Sequence, residues 1–183
     1  ACFLRACRVW RAPGPWLGCG VACLRLEQWK DAEDALQYAS RLDCNSPLVW
    51  GHLALLLLSQ GEDRLAEANR ALSQALGLGL SDASLLREVG NCYLAIDCLE
   101  AAETVLRMSL ASSGGRVVGN PHTRRRLADV LSARNATSQA VEEYCRILES
   151  PSIDESERQE VLARCGDLLR KIGRENEFDH LRE

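Results

Sequence analysis

Apolar residues recur along this chain at helical spacing. Ala32, Leu36 and Ala39 stand four and three positions apart, which sets them on one helix face. The same arrangement returns as Ala68, Leu72 and Ala75, as Ala102, Leu106 and Ser109, and as Ala140, Tyr144 and Ile147. A second apolar set precedes each of these: Cys19, Gly20 and Cys23; Leu53, Ala54 and Leu57; Val89, Gly90 and Tyr93; Leu127, Ala128 and Leu131. Cys165, Gly166 and Leu169 open a fifth round that continues to Phe178 and Leu181. The small residue in the middle of each first set advances from 20 to 54, 90, 128 and 166, a near-constant step that marks an internal repeat of paired helices.

The punctuation agrees. Ser46-Pro47 and Asn120-Pro121 place a capping side chain before a proline at the first helical position. Asp154 with Glu157 has the spacing of a capping box, and Gly61 and Gly173 stand where a first helix should stop. The pattern predicts helices at 2–9, 15–27, 30–43, 47–60, 64–77, 83–96, 99–112, 121–134, 137–149, 155–172 and 175–182. One long irregular connection is expected from Ser112 to Asn120, carrying Gly114, Gly115 and Gly119, and no strand pattern competes. Residue 1 is already in helix-like sequence, so residues 1–15 read as the end of a preceding helical unit and a linker of a longer chain. Residues 16–183 read as five units, about 16–46, 47–81, 82–119, 120–153 and 154–183.

Composition narrows the class without changing that picture. Apolar residues at 46% and charged residues at 26% exclude a disordered chain, and a net charge of −4 argues against a general nucleic-acid binder. The longest apolar run, Leu53 to Leu58, is far too short to cross a bilayer, so no membrane role is expected. The nine cysteines are odd in number, irregularly spaced and lack any Cys-x-x-Cys pair. They read as reduced thiols in a reducing, cytoplasmic setting, acting as small core residues rather than as disulfides or zinc ligands.

Several motifs invite chemistry and are better explained by packing. Gly18-Cys19-Gly20-Val21-Ala22-Cys23 begins like a dinucleotide fingerprint, but no strand precedes it and Cys23 stands where the third small residue belongs. Gly20 instead serves the close crossing of two helices. His52, His122 and His180 belong to no motif, and Asp31, Glu33 and Asp34 suit a helix N-terminus. No catalytic, cofactor-binding or metal site is expected. Arg124-Arg125-Arg126 points in three directions on a helix and makes no single patch. The stretch Leu48 to Gln60 is apolar all round, so a helix there must be covered by its own chain or by a partner.

A unit of about 34 residues with Trp16, Cys19-Gly20, Cys23, Ala32, Leu36 and Ala39 at these offsets resembles the tetratricopeptide repeat (TPR). Trp50, Leu53-Ala54 and Leu57 match in the second unit, and Val89-Gly90, Tyr93, Ala102 and Leu106 in the third. The resemblance implies an all-α, right-handed α-solenoid of about five TPR-like helix–turn–helix units whose first helices line a concave groove. The groove positions are then Val21, Leu24, Arg25, Leu55, Leu58, Arg87, Asn91, Arg125, Asp129 and Arg170, apolar towards one end and polar towards the other. The stretch from Trp16 to Leu36, followed by Ser46 to Leu55, is also similar to the C-terminal TPR region of a cilia- and flagella-associated protein of the motile axoneme. That resemblance implies a non-catalytic protein–protein scaffold in a ciliary or flagellar axonemal complex, with axonemal or microtubule-associated proteins as partners. Two other readings stand beside it: a co-chaperone-type peptide clamp, and a TPR adaptor region of a larger cytosolic enzyme. Leu17 and Val21 occupy the places of the clamp's first Lys and Asn, and Asn91 alone matches.

Overall fold

The computed structural model describes residues 12–113, 120–150 and 153–174. Among these residues every regular element is a helix: α1 (Pro13–Arg25), α2 (Trp29–Leu42), α3 (Pro47–Ser59), a single 3-10 turn (Glu62–Arg64), α4 (Leu65–Gly77), α5 (Ala83–Ala95), α6 (Leu99–Ser112), α7 (Pro121–Ala133), α8 (Thr137–Leu148) and α9 (Glu155–Lys171). The boundaries fall within two residues of the predicted ones, except that the helix expected from 64 opens as the 3-10 turn. The helices expected at 2–9 and 175–182, with Phe178, His180 and Leu181, lie outside the described residues, as do Gly114, Gly115 and Gly119.

The chain divides into two compact units, residues 1–92 and 93–183, with the boundary inside α5. In the first unit, α1 pairs with α2, α3 pairs with α4, and α2 packs on α3. In the second, α7 pairs with α8 and is flanked by α6, while α9 packs on α8.

The second helices share one packing register. Ala32, Ala35, Leu36 and Ala39 are buried on α2, and Ala68, Ala71, Leu72 and Ala75 on α4. Ala102, Val105, Leu106 and Ser109 repeat the set on α6. Small residues at these sites let a neighbouring helix approach closely. Gly20 shows how closely on the facing side: a Cβ there would stand 2.5 Å from Cγ of Leu36. On α8 the same four places are held by Ala140, Glu143, Tyr144 and Ile147, so a carboxylate occupies a position that is alanine or valine elsewhere. Glu143 is 5% exposed. Two cations meet it there: Arg124 donates to it at 2.7 Å, and Arg146, one turn on, forms a second ion pair. A buried charge demands such partners.

The turns repeat as well. After α1, α5, α7 and α9 the chain passes through a left-handed residue, Glu27, Asp97, Asn135 and Gly173 in turn. The next amide then reaches back five residues: Gln28 to the Cys23 carbonyl, Cys98 to Tyr93, Ala136 to Leu131 and Arg174 to Leu169. That bond satisfies carbonyls left open at a helix end. Only the last of the four is glycine. Between α3 and α4 the turn differs, with Gly61 at φ 103° followed by the 3-10 turn. Asn120 caps α7 through His122 N–H at 3.0 Å, and Asp154 caps α9 through Glu157 N–H at 2.7 Å. Ser46, expected to cap α3, makes no side-chain cap bond, and Pro47 alone sets that helix start.

Candidate functional site

In the first unit the faces of α1, α3 and α5 carry seven of the ten sequence-predicted contact residues, with Arg87 and Asn91 both on α5. The helix α3 settles the question its sequence raised. Val49, Gly51 and every residue from Leu53 to Leu58 are buried. Leu55 and Leu58, expected to face a groove, are 3% and 2% exposed and belong to the core. An apolar helix with no polar stripe has no phase from which its outward side can be read, and here the chain buries most of it, leaving Leu48 exposed and Trp50 partly open. Gly51 takes part in that closure, since a Cβ there would meet Cδ2 of Leu85 at 2.7 Å. Leu24 is likewise buried, and Val21 is half-buried.

The polar members stay at the surface. Arg25 on α1 donates to both carboxylate oxygens of Glu88 on α5, at 2.6 and 2.8 Å, so this ion pair joins two helices that both touch α3. His52 of α3 lies in the field of Glu88, Asp82 and Arg25; its burial holds the imidazole pKa below the ordinary value, and its Nδ1 has no partner. Arg87 is half-buried and has no counter-ion among the described residues. One turn on, Asn91 presents a buried side-chain oxygen without a hydrogen-bond donor. A buried acceptor left open is costly, and a ligand amide would satisfy it.

In the second unit, Arg125, Asp129 and Arg170 lie on α7 and α9. Arg125 pairs with Glu160, and Glu160 also takes Arg164 at 3.2 Å. Arg164 reaches Asp129 at 2.6 Å, and the Tyr144 hydroxyl donates to the same Asp129 oxygen at 2.7 Å. Burial, and then the hydrogen bond to Asp129, push the Tyr144 hydroxyl pKa well up, so it remains a donor. A polar cleft of about 240 Å³ opens beside this network; Asp129, Ser132, Tyr144, Arg164, Asp167 and Lys171 line it. Arg170 is exposed next to it and pairs with Asp167 at 2.9 Å. Sequence offsets placed Asp129 here, whereas Tyr144 and Arg164 were missed. Tyr144 read only as a core residue, and its hydroxyl is what brings it to the cleft.

The arginine run separates as three directions require. Arg124 goes to buried Glu143, Arg125 to Glu160, and Arg126 is exposed. Seven cysteines fall among the described residues, of which Cys19 and Cys165 are buried. No group of three or more potential metal ligands is found among the described residues, and no helix there is long and apolar enough to cross a membrane.

The fold superposes on solved TPR proteins. A structure described as YrrB, a TPR protein with an unusual peptide-binding site, aligns with TM-score 0.72 at 12% identity over 99% of this chain and 89% of that one. The MamA protein aligns with TM-score 0.67 at 16% identity over 92% of this chain and 87% of its own. At such identities the likeness concerns the fold, an all-α TPR solenoid. Among curated proteins, cilia- and flagella-associated protein 70 from Homo sapiens and from Macaca fascicularis are each 42% identical over 89 residues, 48% of this chain. That stretch spans 8% of the length of those relatives. The family described as the cilia and flagella-associated protein 70 C-terminal domain matches residues 1–164, and the chain belongs to that family of TPR domains.

Proposed function

We propose that this chain is a non-catalytic scaffold segment of a ciliary or flagellar axonemal complex, holding an extended segment of another protein against the first helices of its repeats. The fold and the family support the scaffold reading. The observation that carries the binding face is the pair Arg87 and Asn91 on α5: among the described residues, a cation without a counter-ion stands one turn from a buried acceptor without a donor. A peptide backbone supplies N–H groups for Asn91, and a carboxylate or carbonyl supplies the partner for Arg87. In the second unit, Ser132, Lys171 and the outer atoms of Asp129 offer a further set of polar contacts in the cleft. Because packing and ion pairs already fix these helices, binding orders the partner and not the scaffold.

The test is co-precipitation of axonemal proteins from ciliated cells by the tagged parent protein. Arg87→Glu and Arg125→Glu are expected to weaken capture while helicity by circular dichroism stays unchanged. Undiminished capture by both variants rejects this face.

A further inference from the structure

A second surface opens between two second helices, with the first helix α3 as its floor. In the first unit, α2 and α4 make no extended contact with each other, and a cleft of about 450 Å³ lies between them. Trp50, Leu53 and Leu57 of α3, with Ala71, give it an apolar floor. The floor is held firmly: the Trp50 indole donates to the Cys44 carbonyl at 2.8 Å. Arg64 closes one end. Its guanidinium binds both oxygens of Glu33, at 2.8 and 3.0 Å, and Glu67 at 2.6 Å, so both carboxylates of the cleft are committed. Arg70, which also lines the cleft, is exposed and has no counter-ion among the described residues.

We propose that this outer cleft is a docking site for a short acidic–apolar segment of a partner protein, one large apolar side chain resting on Trp50 and Leu57 and a carboxylate pairing with Arg70. Charge complementarity selects this occupant. The acidic side chains of the lining are each hydrogen-bonded to Arg64, which leaves the Arg70 guanidinium as the open charge, and its fork suits a carboxylate. Gln74 and, on the opposite wall, Gln37, whose Nε2 donates to Glu33 at 3.1 Å, present amide groups suited to an extended backbone. The lining of this cleft includes neither Arg87 nor Asn91, so the two sites can be occupied together.

The experiment selects binders from a random decapeptide library displayed on phage, with the 183-residue chain as bait, and measures selected peptides by fluorescence polarisation. Three exposed positions are varied: Arg70→Glu removes the charge, Gln74→Trp fills the cleft, and Arg126→Glu is a distant control. The expected result is enrichment of sequences pairing Asp or Glu with Leu, Phe or Trp. Their affinity should fall at least about tenfold in Arg70→Glu, the loss of a charge-assisted bond plus a like-charge contact. It should fall as well in Gln74→Trp and hold in Arg126→Glu. Enrichment of basic or purely apolar sequences overturns the proposal. So does equal affinity in the Arg70 and Gln74 variants, a comparable loss in Arg126→Glu, or the absence of any enriched peptide.

Discussion

The two units solve the same packing problem with different materials. In the first, second helices meet their neighbours through Ala32, Ala35, Ala39 and their counterparts on α4, and α3 contributes an unbroken run of leucine. In the second, Glu143 replaces the alanine and is held by Arg124 and Arg146, while Asp129, Tyr144 and Arg164 form a network beside it. Apolar packing is non-directional and tolerates any shape that fills space. A buried ion pair is directional: it contributes little net stability, but one partner without the other is strongly unfavourable. The comparison teaches where recognition can reside. An apolar helix offers a partner shape alone, as Trp50 and Leu57 do on the cleft floor, whereas the Asp129 network keeps donors and acceptors within a partner's reach.

Core truncation should separate the units most sharply. Leu56→Ala, at a fully buried site, is expected to cost about 2–5 kcal/mol. Amide hydrogen exchange should show lost protection in α3 and α4. Glu143→Ala is expected to cost about 3 kcal/mol, because it strands Arg124 inside; adding Arg124→Met should recover much of that. A double variant no more stable than the single one would mean that the pair is worth more than its desolvation. Gly20→Val, by forcing a side chain against Leu36, should cost about 1–3 kcal/mol, read as a lowered melting temperature.

Acid should act on the first unit through His52. Burial lowers its pKa in the folded chain, so the unfolded chain takes up a proton first as pH falls through the ordinary value of about 6.5. Stability from this group is therefore full above that pH and declines below it. Urea titrations at pH 7.5 and 5.5 should show the loss, and His52→Gln should remove that part of it. The smallest effect is expected from Arg25→Ala, whose side chain is 59% exposed: about 0–1 kcal/mol, and less in high salt.

Much of the fold was legible because small residues recur at a fixed step and a helix has one period. The helix starts at Pro47 and Pro121 and the stop at Gly173 were legible for the same local reason. Three left-handed turn residues were not, since Glu27, Asp97 and Asn135 carry no glycine to announce them. Glu143 was passed over because an acidic residue on a helix ordinarily faces water; only its alignment with Ala35, Ala71 and Val105 reveals the core position. The candidate site divides the same way. On α7 and α9, where polar and apolar faces alternate, the offsets select residues that reach the surface; on α3 they select Leu55 and Leu58, which are buried. The outer cleft was invisible in sequence, since Glu33, Gln37, Arg70 and Gln74 look like any solvated helix face until α3 supplies the floor.

The central claim is that the polar first-helix face is the partner surface. A photoreactive benzoylphenylalanine placed at Ser132, in the cleft, or at Glu142, exposed on α8, tests it directly in ciliated cells expressing the parent protein. The account predicts adducts with axonemal proteins from position 132 that vanish with Arg125→Glu, and none from position 142. Adducts from position 142 alone, or adducts from 132 that persist in the Arg125 variant, would contradict it.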